Sequence, residues 1–375
     1  MKDKFLLDSN ITFLNHGSFG ACPIPIVQDY RDWQEKLENQ PVYFMSEILF
    51  DALRKSRISL GEFVGCDEDE IVFFPNPTTA VTNVIYNLDL QPGDEVLMSN
   101  HEYGALVRAW TEWGKKSGVS IIQQEIPIPV TTPNEFVDCF WQGVTSKTKV
   151  IFLSHITSST ALIFPVEKIV SMAGEMGILT IVDGAHVPAH IQLNIRRLGC
   201  DFYTGACHKW LCGPKGSSFL YVKKECQTWI KPVVYSWGKE GADPGPSEFL
   251  QDFQWQGTRD MSAYLTVPIA IEFYQNEIKK RQSQCRQLVR YAAKEFENIL
   301  RTDPIFLDDD WIGQMVSYPL PALCLDNLKE NLWDEFQIEI PVFQWEDMQF
   351  IRISIQVYNS KKDIEHLMSA LDSLI

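Results

Sequence analysis

Lys209 stands in the stretch "GACHKWLCGPKG" (residues 205–216), flanked by His208 and Trp210, with Lys215 the other lysine of the segment. It follows an apolar run that reads as a strand and precedes a Gly-Pro turn. A lysine amine placed there is a candidate nucleophile able to form an imine. In open α/β sheets ligands bind at the carboxyl ends of the strands, so the polar residues after each apolar run are the ones to weigh. They are Thr78 and Thr79, His101 and Tyr103, His155 to Ser159, Asp183 and His186, and His208 with Lys209. Each has a plainer alternative taken singly: an Asp at a strand end caps or turns, Thr78 and Thr79 cap a helix, His155 and His208 are satisfied core residues, and Tyr103 is packing. A metal site at "HVPAH" (His186 to His190) is not expected, because Pro188 interrupts any helical face the two histidines would share.

Taken in order, these residues match the requirements of one cofactor. Pyridoxal phosphate needs a lysine for its imine, a carboxylate against its ring nitrogen, donors for its phosphate and a planar group against its ring. Lys209 supplies the first and Asp183 the second. The helix start at Thr78 and Thr79 offers amides and a dipole for the phosphate, and Tyr103 can stack on the ring. A nicotinamide dinucleotide is disfavoured, since no GxGxxG follows a strand.

The elements that must position these residues alternate between strand and helix. "EIVFFP" (70–75), "PGDEVLMSN" (92–100), "VSIIQQEIP" (119–127), "KVIFLSHI" (149–156) and "ILTIVDGAH" (178–186) read as strands, and "CDFYTGACHKW" and "SSFLYVKK" continue the sheet. Between them lie helical patterns at 45–65, 76–88, 103–118 and 165–177. Continuous apolar strands are expected where helices cover both faces of a parallel sheet. Residues 237–260 are rich in Gly and Pro and read as a long loop. The chain then enters a long helix over 262–300, with a break expected at Pro268, and an alternating strand at "FIRISIQVYNS" (350–360).

At 375 residues the chain is long enough for a large and a smaller domain. Apolar residues make up 45% of it and charged residues 22%, which excludes a disordered chain. The net charge of −16 and the lack of a basic run argue against nucleic-acid binding. No stretch reads as a membrane span or secretory leader. The odd count of nine cysteines, scattered without zinc-knuckle spacing, points to reduced thiols, and a cytoplasmic location is expected.

"FLNHGSFGACP", "PNPTTAVTNV", "HEYGAL", "SHITSSTALIFPV", "VDGAH", "HKWLCGPKG", "QGTRD" and "IRISIQVYN" together resemble the class V aminotransferase family of fold-type I pyridoxal phosphate enzymes. The likeness is greatest to its isopenicillin N epimerase-like branch, which includes C–S lyases, and runs from about residue 11 to about residue 360. It implies an α/β, aspartate aminotransferase-like fold: a large domain with a mostly parallel sheet sandwiched by helices, and a smaller α+β domain. The implied units are an N-terminal segment (1–25) associated with the small domain and active-site mouth, a cofactor-binding domain (26–260) and a C-terminal domain (261–375).

The same resemblance assigns roles. Lys209 would hold the cofactor and shuttle the proton at Cα, Asp183 would pair with the ring nitrogen, and His186 and Ser158 would lie near the ring's phenolic side. Thr79, the amide of Thr78 and His208 would hold the phosphate, Tyr103 would stack on the ring with His101 as its rival, and Thr258 would reach a dimer partner's phosphate. Arg352 would grip the substrate α-carboxylate, a bidentate task suited to guanidinium, with Asn15 and His16 at the same mouth. A homodimer with shared sites and a small amino-acid substrate are implied, and no metal, nucleic acid or membrane. Ala206 departs from the serine or asparagine that commonly helps bind phosphate three residues before the lysine. Residues 325–352 hold no cysteine, which disfavours persulfide-forming desulfuration. Epimerisation or C–S lysis is expected first and transamination second.

Overall fold

A computed structural model describes residues 1–239, 247–322 and 327–375. Its strands in chain order are β1 (Thr12–Phe13), β2 (Ile71–Phe74), β3 (Glu95–Ser99), β4 (Ser120–Gln124), β5 (Thr148–Ser154), β6 (Leu179–Asp183), β7 (Phe202–Ala206), β8 (Ser218–Val222), β9 (Met315–Pro319), β10 (Ile338–Glu339), β11 (Val342–Trp345) and β12 (Met348–Ser354). Seven of them form one sheet in the order β2-β8-β7-β6-β5-β3-β4. Only β8 runs against the rest, pairing antiparallel with both β2 and β7. The interior strands are mostly apolar and buried because helices cover both faces, and every residue of β7, β8 and the edge strand β2 is buried.

Register explains why the chemical residues gather. Ser154 of β5 pairs with Asp183 of β6, and Asp183 pairs with Thr204 of β7, so these parallel strands end nearly level. The polar residues that follow them therefore emerge along one edge of the sheet, the carboxyl edge at which α/β folds bind ligands. The helices between strands are terminated as their sequences dictate. Asn76 caps the helix Pro77–Ile85 by accepting the Thr79 amide. Gly65 and Gly118, at φ +77° and +75°, close the helices Leu49–Val64 and Gly104–Ser117.

A second sheet, order β11-β12-β9, is wholly antiparallel. The N-terminal strand β1 pairs with β10, and the Ser354 amide at the end of β12 donates to the Leu14 carbonyl. Chain start and chain end thus meet beside the large sheet. Two expectations are corrected. The stretch 237–260 is not all loop: Ser247 caps a helix, Glu248–Gln254, which buries Phe249, Leu250 and Phe253. Residues 240–246 of that stretch, and Cys324, lie outside the described residues. The helical run 262–300 breaks at Thr266, two residues before Pro268, and again through π and 3-10 turns over Tyr274–Arg281. Proline suits the first turn of a helix, so Pro268 starts the second segment and does not interrupt one. Among the described residues no helix is long and apolar enough to cross a membrane.

Candidate active site

Lys209 lies just beyond β7, and its Nζ is 3.0 Å from Nε2 of His186, which follows β6. Burial pulls the lysine down to about 8, with Asp183 opposing and the Arg352 charge adding to the pull. Asp183 is buried in its turn, and that burial pushes its carboxyl up while the Ala185 amide and the Lys209 charge hold it back. Its Oδ1 accepts the Ala185 amide at 2.9 Å. His186 is also buried, and Trp210 Nε1 donates to its Nδ1 at 3.3 Å. The structure therefore unites Lys209, Asp183 and His186 around one point.

Arg352, from the middle of β12, enters the same region. The residue is 5% exposed, and burial lowers its guanidinium to about 10. It donates to the Ser158 carbonyl, to Ser158 Oγ at 3.2 Å and to Ser18 Oγ at 3.0 Å. Ser18 in turn donates to Asn15 Oδ1 at 2.5 Å. Among the described residues no carboxylate pairs with Arg352, and its Nε is buried without a hydrogen-bond partner. A buried cation lacking an anion is held ready for one brought from outside.

His16 does not occupy the mouth, which corrects the expectation drawn for it. It is fully buried, donating from Nε2 to the Lys209 carbonyl at 3.1 Å and accepting from the Tyr358 hydroxyl at 2.8 Å. Its work is to hold the lysine's backbone. Gly20 shares that task at φ +70°: a Cβ there would stand 2.0 Å from the His208 carbonyl oxygen. Lys215 completes the clamp by donating to the Gly20 carbonyl at 2.9 Å.

The remaining residues divide by engagement. His101 is buried with both ring nitrogens used, on Thr160 and the Ile126 carbonyl, whereas Tyr103 is exposed at the start of its helix. The His101 ring packs against Phe164 and Trp345. Thr79 gives both its amide and its hydroxyl to Asn76 Oδ1, and Thr78 sits beside it in the first helical turn. His208 donates from Nδ1 to the Ser217 carbonyl at 3.0 Å, leaving Nε2 free. Thr258 is exposed. His190, the second histidine of "HVPAH", spends one nitrogen on the His186 carbonyl and the other on the Gln314 amide.

The family profile described as aminotransferase class-V matches residues 23–367. The chain belongs to the class-V aminotransferase family. Among curated relatives, isopenicillin N epimerase of Amycolatopsis lactamdurans is 30% identical, with 100% of this chain and 97% of that protein covered. A probable chloroplastic L-cysteine desulfhydrase of Arabidopsis thaliana is 27% identical over 98% of this chain and 84% of its own length. Among solved structures, a cysteine desulfurase from Thermococcus onnurineus superposes with a TM-score of 0.85 at 19% identity, covering 100% of this chain and 97% of that one. A cystine C–S lyase in complex with cysteine persulfide gives 0.85 at 20% identity, with 98% of each chain covered. These structures share the fold-type I architecture.

Class-V enzymes of this kind use pyridoxal phosphate, and the residues present fit it. The donor set contains a lysine amine held in burial, a buried carboxylate that accepts one amide through Oδ1, and a nine-residue helix in whose first turn Asn76 takes the Thr79 amide and not that of Thr78. Three supporting residues escaped the sequence. Ser18 tethers Arg352, Trp210 orients His186, and Glu102 accepts from Ser99 Oγ, Ser154 Oγ and the Ser154 amide. Burial raises Glu102 to about 7. Only Trp210 carried a signal, its position beside the lysine.

Proposed function

We propose that this chain removes the α-proton of an amino-acid substrate and then either returns it on the opposite face or expels a sulfur leaving group from Cβ. Bound pyridoxal phosphate supplies an imine carbon and an electron-accepting ring. Lys209 is the residue that holds it and that accepts and returns the proton at Cα, its neutral form favoured by burial. Asp183 would set its carboxyl against the ring nitrogen, and the ring's other contacts and the phosphate would fall to Tyr103, His186, Ser158, His208 and the Thr78–Thr79 helix start. Arg352 orients the substrate α-carboxylate through guanidinium N–H groups, with Asn15 acting through Ser18.

The observation that carries this reading is the buried, anion-free guanidinium of Arg352 converging with the Lys209 amine. Relatives named for epimerisation and for cysteine desulfhydration support the two outcomes. A homodimer is part of the proposal: Thr258 is exposed, as are Val233, Val234, Tyr235 and Trp237, apolar side chains that a second copy would cover. The free cysteines support a reducing compartment such as the cytoplasm.

The test incubates the cofactor-loaded enzyme in heavy water with L-cysteine, cysteine conjugates, cysteine sulfoxides and other L-amino acids. Pyruvate with ammonia from a sulfur substrate identifies the lyase, and Cα deuteration with loss of optical purity identifies the epimerase. Turnover that requires an added keto acid, or no Cα exchange with any of them, overturns the proposal.

A further inference from the structure

Trp210 is fully buried, its ring held between His16 and His190 at centroid distances of 5.2 Å and 4.0 Å. This leaves its indole N–H little freedom to turn from Nδ1 of His186, to which it donates at 3.3 Å. An indole nitrogen is a donor only. Nδ1 of His186 must therefore present its lone pair, and a neutral ring then carries its proton on Nε2. That N–H faces Lys209 Nζ at 3.0 Å. An ammonium there would set donor against donor, whereas a neutral amine accepts.

We propose that Trp210 is a positioning residue which, by fixing the tautomer of His186, holds Lys209 as an uncharged amine. An uncharged amine is the form that adds to a carbonyl carbon or accepts a proton. The charges facing this pair divide at Lys209, where burial is the larger cause of the lowered value, and act together at His186. Arg352 opposes a charge on Lys209 and Asp183 favours one, while Lys209, Arg352, His190 and His208 all disfavour a charged His186. The His186 peptide is fixed from behind, since His190 Nδ1 donates to its carbonyl at 2.9 Å and His190 Nε2 accepts the Gln314 amide at 2.6 Å. The inference deepens the proposed role of Lys209 and rests on it for its catalytic meaning.

The test uses the cofactor-free full chain, so it has a readout apart from turnover. The rate at which an amine-reactive acyl reagent labels Lys209, located by peptide mass spectrometry, is followed against pH. Trp210→Phe keeps an aromatic ring and removes the N–H. Its labelling midpoint is expected about one pH unit higher, with labelling about tenfold slower at neutral pH, the scale of one lost hydrogen bond. In a His186→Phe background the same change is expected to move nothing, because the indole reaches Lys209 only through the imidazole. An unchanged midpoint in a folded Trp210→Phe protein, or a shift that persists without His186, overturns the relay. Nitrogen-15 spectra of the seven histidines in the wild-type chain need no variant: His186 is expected with Nδ1 unprotonated, and a protonated Nδ1 overturns the relay. Failure of the wild-type chain to bind pyridoxal phosphate would instead sink the assignment of Lys209, which these measurements in the cofactor-free chain do not touch.

Discussion

Replacing Arg352 by methionine separates what a residue does for the fold from what it does for the reaction. Burial lowers the guanidinium to about 10. At about 1.36 kcal/mol per pH unit, the enclosed charge opposes folding by about 3 kcal/mol. Against this stand three hydrogen bonds, to the Ser158 carbonyl, Ser158 Oγ and Ser18 Oγ, each contributing about 1 kcal/mol. The two effects nearly cancel, so Arg352→Met should change the stability of the cofactor-free protein by no more than about 1 kcal/mol. For 375 residues at about 2.1 cal/mol/K each, that is a Tm change within about 2 °C. The carboxylate of an amino-acid substrate, in contrast, loses charge-assisted hydrogen bonds together worth about 3–5 kcal/mol, or roughly a hundred- to thousandfold in apparent affinity. Differential scanning fluorimetry reads the first quantity, and spectroscopic titration of the loaded enzyme with L-cysteine or L-alanine reads the second. A Tm loss beyond about 4 °C would show that the arginine is a structural strut. An affinity within tenfold of wild type would remove it from substrate binding.

Other outcomes follow from the same geometry. The rate of cofactor capture should rise with pH through about 8, the value to which burial lowers Lys209, and stopped-flow absorbance will show whether it does. The linkage sign agrees: above that pH the unfolded lysine keeps a proton the folded one has lost, so stability should climb from about 8 toward the ordinary lysine range, and Lys209→Met should flatten the climb. Asp183→Asn should retain the borohydride-reducible imine but lower kcat roughly a hundredfold, because an amide lacks the charge that faces the ring nitrogen. Gly20→Ala places a methyl 2.0 Å from a backbone oxygen at φ +70°; a loss above about 2 kcal/mol in thermal stability, with impaired cofactor capture, is expected.

The reactive positions were legible because each follows a continuous apolar run. Asp183 ends "ILTIVD" and Lys209 follows "CDFYTGACH", and it was their order along successive strand ends, more than either residue alone, that pointed to the cofactor. Arg352 was legible only through the resemblance carried by "IRIS", since the alternating strand around it does not single out a cation for that task. His16 was misplaced because sequence gives a residue's neighbourhood in the chain and not the direction of its side chain; its contacts, Lys209 and Tyr358, lie 193 and 342 residues away. The helix Glu248–Gln254 was hidden by the Gly and Pro around it, although "EFLQDFQ" has the apolar spacing of a short helix. Thr258 was drawn from resemblance alone, and in a single chain it is exposed.

The clamp on Lys209 also bears on when the enzyme comes into being. Residues 12–20 reach the lysine loop through His16 and Gly20, yet they are anchored by residues 337–339, Ser354 and Tyr358 near the other end of the chain. A nascent chain still attached to the ribosome has made the lysine, the aspartate and the phosphate-facing helix long before it has made those anchors. Its N-terminal segment must wait without those anchors through the synthesis of more than three hundred residues. A finished lysine loop is therefore a property of the completed polypeptide, and interrupted or C-terminally truncated products should be born without the grip that sets their reactive amine.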